Sequence, residues 1–183
     1  MRHSTIAQPA AFLLALGALA GCSSTHQPVT ATSGVYDLTI AGEHDACSPV
    51  RSTGAAGLAG VVQQGAVLTL TVPDLTTSSP MLVSLESDHG FTDTRIDALT
   101  PCGAASLART YSVVSHDANG FDVAYTESWT GMATCGAAMR SIMPAAPSAD
   151  CTADLVLHYR LETPCAAPCE IRLGAGGTAA CHC

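Results

Sequence analysis

The sequence predicts an all-β domain: an antiparallel barrel or sandwich of about eight strands with one short helix, stapled by disulfides. Short segments alternate apolar and polar residues. Clusters of Gly, Pro, Asn and Asp separate them. Of nine cysteines, eight lie beyond Cys22, an even set suited to covalent bridging.

The first strand is expected over Gly34–Ile40, where Tyr36, Leu38 and Ile40 share a face. A second covers Ala66–Val72 and turns Leu68, Leu70 and Val72 inward. Met81–Glu86 and Phe91–Asp97 are shorter candidates, and Leu107–Ser115 and Phe121–Trp129 are strong ones. Thr152–Thr163 aligns Leu155, Leu157, Tyr159 and Leu161. Cys169–Leu173 and Thr178–Cys183 flank Gly174-Ala175-Gly176-Gly177, a hairpin turn by composition. Gly131–Met143 is the helical candidate, because Met132, Cys135, Met139, Ile142 and Met143 recur at helical spacing. That Met and Cys stripe has the soft ligands copper(I) favours, but core packing accounts for it as well.

Seven arginines and no lysine face fifteen acids, for a formal charge of −8. Such a surface argues against nucleic acid and against a polybasic lipid contact. The cysteines Cys47, Cys102, Cys135, Cys151, Cys165, Cys169, Cys181 and Cys183 are read as disulfide partners in an exported chain. Their spacing leaves the connectivity open. Cys181 and Cys183, two residues apart, are expected to pair outward, with Cys165 and with Cys169 or an earlier cysteine. A zinc site built from the same four tail sulfurs is the competing reading.

At the N-terminus Arg2 and His3 precede an apolar run over residues 10–20, with small residues after it. These are the marks of a secretory signal, and the run is short for a span of about 20 residues. It closes in Leu19-Ala20-Gly21-Cys22, which resembles the lipobox of bacterial lipoproteins. The resemblance covers the first 22 residues. It implies cleavage before Cys22, acylation of that cysteine, and attachment to a membrane through lipid alone. Ser23 and Ser24 stand where an Asp would retain such a protein at the inner membrane, so the outer membrane is favoured. The expected organisation is a signal peptide over 1–21, a lipidated flexible tether over 22–33 and one domain over 34–183. The covalent lipid on Cys22 is the only attached group expected, with no cofactor and no metal.

Gly34-Val35-Tyr36-Asp37-Leu38-Thr39, followed by Val61-Val62-Gln63-Gln64-Gly65-Ala66-Val67-Leu68-Thr69-Leu70, is similar to the opening of small bacterial β-barrels of lipocalin-like shape. This likeness covers the first third of the domain and implies a fold, not a function.

The hairpin Leu107–Trp129 carries the candidate ligand site. Asp117-Ala118-Asn119-Gly120 fits a type I turn with Gly in a bulge, a three-residue loop that sets Tyr111 opposite Glu127 and Arg109 opposite Trp129. A five-residue loop instead sets Arg109 opposite Glu127. Either register keeps Arg109, Tyr111, Tyr125, Glu127 and Trp129 on one apolar face. Arg109 suits a carboxylate and Trp129 a ring or sugar. A structural pair at the wet end of a barrel, with Arg109 lying on Trp129, uses the same residues without a ligand.

Glu43-His44-Asp45-Ala46-Cys47 holds zinc-type ligands, but Cys47 is better used in a disulfide. Asp88, Asp93 and Asp97 lack the spacing of a calcium loop. His89, His116 and His158 fall at solvated positions, and no nucleophile-elbow, zincin or P-loop motif occurs. The expected role is a non-catalytic binding or structural module of the envelope, with a small molecule, glycan or envelope protein as partner. A hydrolase using Arg109 and Glu127 and a metal carrier are the competing classes.

Overall fold

The computed structural model describes residues 29–74, 80–99, 102–135, 146–165, 170–173 and 179–182. Eight antiparallel strands form one sheet: β1 (Gly34–Asp45), β2 (Gly54–Gln64), β3 (Val67–Pro73), β4 (Pro80–Glu86), β5 (Thr92–Ala98), β6 (Ser106–Asp117), β7 (Gly120–Thr130) and β8 (Cys151–Pro164). Their order is β4-β3-β2-β1-β8-β7-β6-β5, an up-and-down path that curls into a nearly closed barrel. At the seam, Arg95 Nη1 on β5 donates to the Leu82 carbonyl on β4 at 3.1 Å. A separate hairpin pairs β9 (Glu170–Leu173) with β10 (Ala179–His182).

Alternation drives these elements. Tyr36, Leu38 and Ile40 of β1, Leu68, Leu70 and Val72 of β3, and Leu155, Leu157 and Tyr159 of β8 are all buried, while their neighbours in sequence, Thr71 excepted, are partly or fully exposed. Tyr36, Phe121 and Tyr159 pack together in the core, with the Phe121 and Tyr159 rings stacked 4.8 Å apart. Each such side chain contributes about 1.5–3 kcal/mol when fully buried.

The meander gives the barrel two unlike ends. One is closed by tight turns at 65–66, 87–91 and 118–119. The other carries the longer connections 46–53, 74–79, 99–105 and 131–150. A second apolar cluster there holds Leu99, Leu107, Trp129 and Met132, together with the disulfides Cys47–Cys151 and Cys102–Cys135.

Several expectations meet a different outcome. β2 lacks any alternating pattern and was not foreseen: its first five residues, Gly54 to Leu58, are all exposed. The described part of the expected helix is a single 3-10 turn, Met132–Thr134, where Gly131 adopts φ 72°. Residues 136–145 lie outside the described residues. Cys165 forms no bridge to a described cysteine. It sits at the tight-turn end, where its N–H donates to the Ser33 carbonyl at 2.8 Å, while both bridges lie at the other end. The sulfurs of Cys169, Cys181 and Cys183, the glycine turn at 174–177, the signal segment and Cys22 also lie outside the described residues.

Residues 29–33, assigned to the tether on composition, pack on the barrel. Val29 is buried, and the Gln63 side chain holds the segment by accepting from the Ala31 N–H and donating to the Val29 carbonyl. Tyr36 Oη donates to the Thr32 carbonyl and the Gln63 N–H to Ser33 Oγ, so backbone and side-chain bonds dock a stretch that composition alone reads as solvated.

Candidate functional site

The site is built at the long-loop end. The β6–β7 turn is tighter than expected, with Asp117 opposite Gly120 and two residues between them. Asp117 Oδ1 accepts the Asn119 N–H at 2.7 Å, and a bulge between Val113 and Ser115 absorbs the extra residue. The resulting register puts Arg109 opposite Glu127, Tyr111 opposite Tyr125 and Leu107 opposite Trp129. This corrects the pairing that a three-residue loop implies. All five candidate residues do share the inner face.

Arg109 and Glu127 are nevertheless bound to other partners. Glu127 is fully buried, and its Oε1 accepts Nε of Arg51 at 2.8 Å and Nη2 of Arg51 at 2.5 Å. Trp129 Nε1 donates to the same oxygen, and Tyr125 Oη donates to Oε2 at 2.9 Å. Arg51 rather than Arg109 lies over Trp129, 5.6 Å from the ring centroid. Arg109 donates to Asp97 at 2.5 Å and to Asp74 at 3.3 Å. Arg51, Arg109 and Glu127 are buried, at 4 %, 5 % and 0 % exposed, while Asp97 reaches the surface.

The electrostatics follow from that burial. Desolvation opposes the charge on Arg109, but Asp74, the two tyrosines and Asp97 outweigh it and raise its pKa. Desolvation pushes the Tyr111 phenol up to about 12 against the pull of Arg109. Tyr125 is pushed up further, by burial first and then by Glu127 beside it. These phenols are neutral hydrogen-bond donors at any ordinary pH.

Arg51 was missed because it sits in an irregular loop. Asp45 folds that loop by accepting the N–H groups of Cys47 and Arg51 at 2.8 and 2.5 Å. The Cys47–Cys151 bridge then fastens it to β8. A sequence signal did exist, since a carboxylate in an apolar row demands a cation.

Beside Arg51 lies a cavity of about 490 Å³. The β2–β3 ladder runs from Gln64↔Val67 to Val61↔Leu70 and stops. The cavity occupies the space beyond, between Gly54–Ala59 of β2 and Thr71–Pro73 of β3, floored by Leu38 and Ile40. Arg51 and Asp74 are the charged residues of its described lining. Thr71 is 3 % exposed, and its hydroxyl has no hydrogen-bond partner among the described residues. Its carbonyl accepts from Tyr159 Oη at 3.0 Å. Of the five expected ligand residues, none lines the described cavity wall; Arg109 and Glu127 stand one bond behind Asp74 and Arg51.

Other candidates are occupied. Cys47 is bridged and Asp45 caps its loop. Asp93 pairs with Arg95 at 2.9 Å, and Asp97 pairs with Arg109. On the outer face, His158 Nδ1 and Arg160 meet Asp122 at 2.8 and 2.9 Å. Ser115, His158 and Arg160 overcome the desolvation of Asp122 and lower its pKa. Among the described residues no group of three His, Cys, Asp or Glu is placed to hold a metal ion.

No family model matches the chain, and neither curated proteins nor solved structures give a match.

Proposed function

We propose that the chain is an outer-membrane lipoprotein of the bacterial envelope, acylated on Cys22, whose barrel is a non-catalytic module binding a small molecule. The cavity beside Arg51 carries this reading. Its 490 Å³ falls within the range of about 300–1,000 Å³ typical of small-molecule sites. Its wall mixes apolar side chains such as Leu38, Ile40 and Ala59 with polar groups including Arg51 and Asp74. Glu127 supports a binding role over a hydrolytic one. Its oxygens accept from three side chains and the residue is fully buried, so it holds the wall in place and is not presented to the cavity.

The lipobox resemblance supports the anchor. From Cys22 to Val29 the chain can span at most about 25 Å, which would hold the tight-turn end near the bilayer. The cavity lies at the opposite end and would face away from the membrane.

The test is the mass of the protein taken from its native membrane, sprayed first under native and then under denaturing conditions. The expected result is a chain beginning at Cys22 with acyl chains, plus a small-molecule adduct lost on denaturation. A chain without acyl mass overturns the anchor. A protein that carries no adduct and takes up no apolar, anionic or cationic probe overturns the binding role.

A further inference from the structure

We infer that the β3–β4 hairpin is a hinged flap. The half nearest the tight turns is fixed in the sheet, and the far half, residues 71–73 and 80–82, swings outward to open the cavity. Its use as a gate rests on the binding role proposed above; its motion does not.

Among the described residues, the far half shares no ladder with anything outside the hairpin. β3 and β4 pair with each other from Val67↔Glu86 to Pro73↔Pro80. On the β2 side the ladder ends at Val61↔Leu70. On the other side, β4 and β5 are the two ends of the sheet and are not paired. The sequence explains why the β2 ladder goes no further. The β1–β2 register slips between Leu38 and Thr39, and Gly54 and Gly57 take φ 110° and 90°, a bulge that bends β2 where it parts from β3. Pro73 has no N–H to donate across the gap. The cavity lies along this half, between Thr71–Pro73 and Gly54–Ala59, so outward movement of the hairpin widens it.

Side chains hold the far half in place of ladders. Tyr159 Oη on β8 donates to the Thr71 carbonyl at 3.0 Å. Arg109 on β6 pairs with Asp74, which follows Pro73, at 3.3 Å. Arg95 on β5 donates to the Leu82 carbonyl at 3.1 Å, and Asp93 steadies that guanidinium at 2.9 Å. Tyr111 Oη on β6 meets Met81 Sδ at 3.8 Å. Little apolar surface opposes the swing. Val72 is fully buried, but Pro73, Pro80 and Met81 are half-buried and Leu82 is exposed. Leu68 and Leu85, both fully buried, sit in the fixed half. An element with few buried apolar contacts and no ladder to its neighbours opens at a lower free energy than the domain unfolds.

Thiol trapping reads this motion without a ligand. Val72, Val61 and Val123 are all 0 % exposed and lie in the far half, in the hinge ladder and on β7. Each is replaced by Cys in the full processed chain. Alkylation by iodoacetamide is followed by peptide mass, which separates that residue from native thiols. Val72→Cys is expected to react at least about tenfold faster than Val61→Cys and Val123→Cys. A Val72→Cys rate no higher than that of Val61→Cys overturns the flap. Asp74→Asn removes one latch and should speed Val72→Cys about tenfold, the worth of a charged hydrogen bond. Arg95→Met removes a more exposed latch and should speed it about threefold. In both variants Val123→Cys should keep its rate. A Val72→Cys rate that neither variant changes, or an equal rise at Val123→Cys, overturns the latches.

Discussion

Arg51 and Glu127, 76 residues apart in sequence, meet as a buried ion pair with side chains 2 % and 0 % exposed. The pair joins an irregular loop to the inner face of β7. Trp129 and Tyr125 complete the carboxylate, so no acceptor of Glu127 is wasted on solvent.

Removing one partner should cost far more than removing both. Arg51→Met leaves Glu127 charged in an apolar row and is expected to destabilise by about 3–5 kcal/mol in urea unfolding. The double variant Arg51→Met with Glu127→Gln should be more stable than that single one. Additive losses in the mutant cycle would mean the pair is not coupled.

The two bridges should differ in weight. Cys47–Cys151 closes a separation of 104 residues and Cys102–Cys135 one of 33. Paired Cys→Ser replacement is expected to cost about 2–4 kcal/mol in each case, more for the longer loop. Only Cys47–Cys151 fastens the Arg51 loop to β8, so only that variant should also lose the small-molecule adduct. Binding retained in both variants would separate the loop from the cavity.

The chain has four tyrosines, Tyr36, Tyr111, Tyr125 and Tyr159, and all are buried. Burial raises Tyr111 from 10.0 to about 12 and also raises Tyr125 and Tyr159. A raised folded pKa means the fold favours the neutral phenol. That stability is complete below pH 10 and is lost as pH climbs through about 12. Tyrosinate absorbance should therefore rise together with loss of near-ultraviolet circular dichroism. Tyrosinate formation near pH 10 with the dichroism intact would contradict the packing described.

Gly120 opens β7 against the backbone of β8. A Cβ there would collide with the Tyr159 carbonyl and come within 3.2 Å of Arg160 Cα. Gly120→Ala should cost about 1–3 kcal/mol, since only backbone can give way. An unchanged denaturation midpoint would place β7 and β8 farther apart.

Much of the barrel was legible because its strands carry a strict two-residue period. Tyr36-Leu38-Ile40 and Leu155-Leu157-Tyr159 announce both face and partner type. β2 was not, because Gly54-Ala55-Ala56-Gly57 has no apolar face to alternate and owes its place to the ladder with β1. The shared face of Arg109, Tyr111, Tyr125, Glu127 and Trp129 was readable, since any two-residue slip preserves it. Their partners were not. Arg51 reaches Glu127 from a loop that Asp45 folds and the Cys47–Cys151 bridge fastens, and that pairing cannot be inferred from spacing. The cavity escaped notice for a related reason: it arises where a ladder ends, and periodicity describes ladders, not their ends.

The first strand after the N-terminal segment is fastened on both edges. β1 is bonded along one edge to β2 and along the other to β8, antiparallel to both. Tension arriving through the N-terminus runs along β1, at right angles to those bonds, and loads them in shear, many at once and not one after another. Strands β4 and β5, whose facing edges form the barrel's seam, lie three and four strands away from that line of force. A pull strong enough to lift Val29–Ser33 off the barrel would still leave β1 locked and the far end undisturbed.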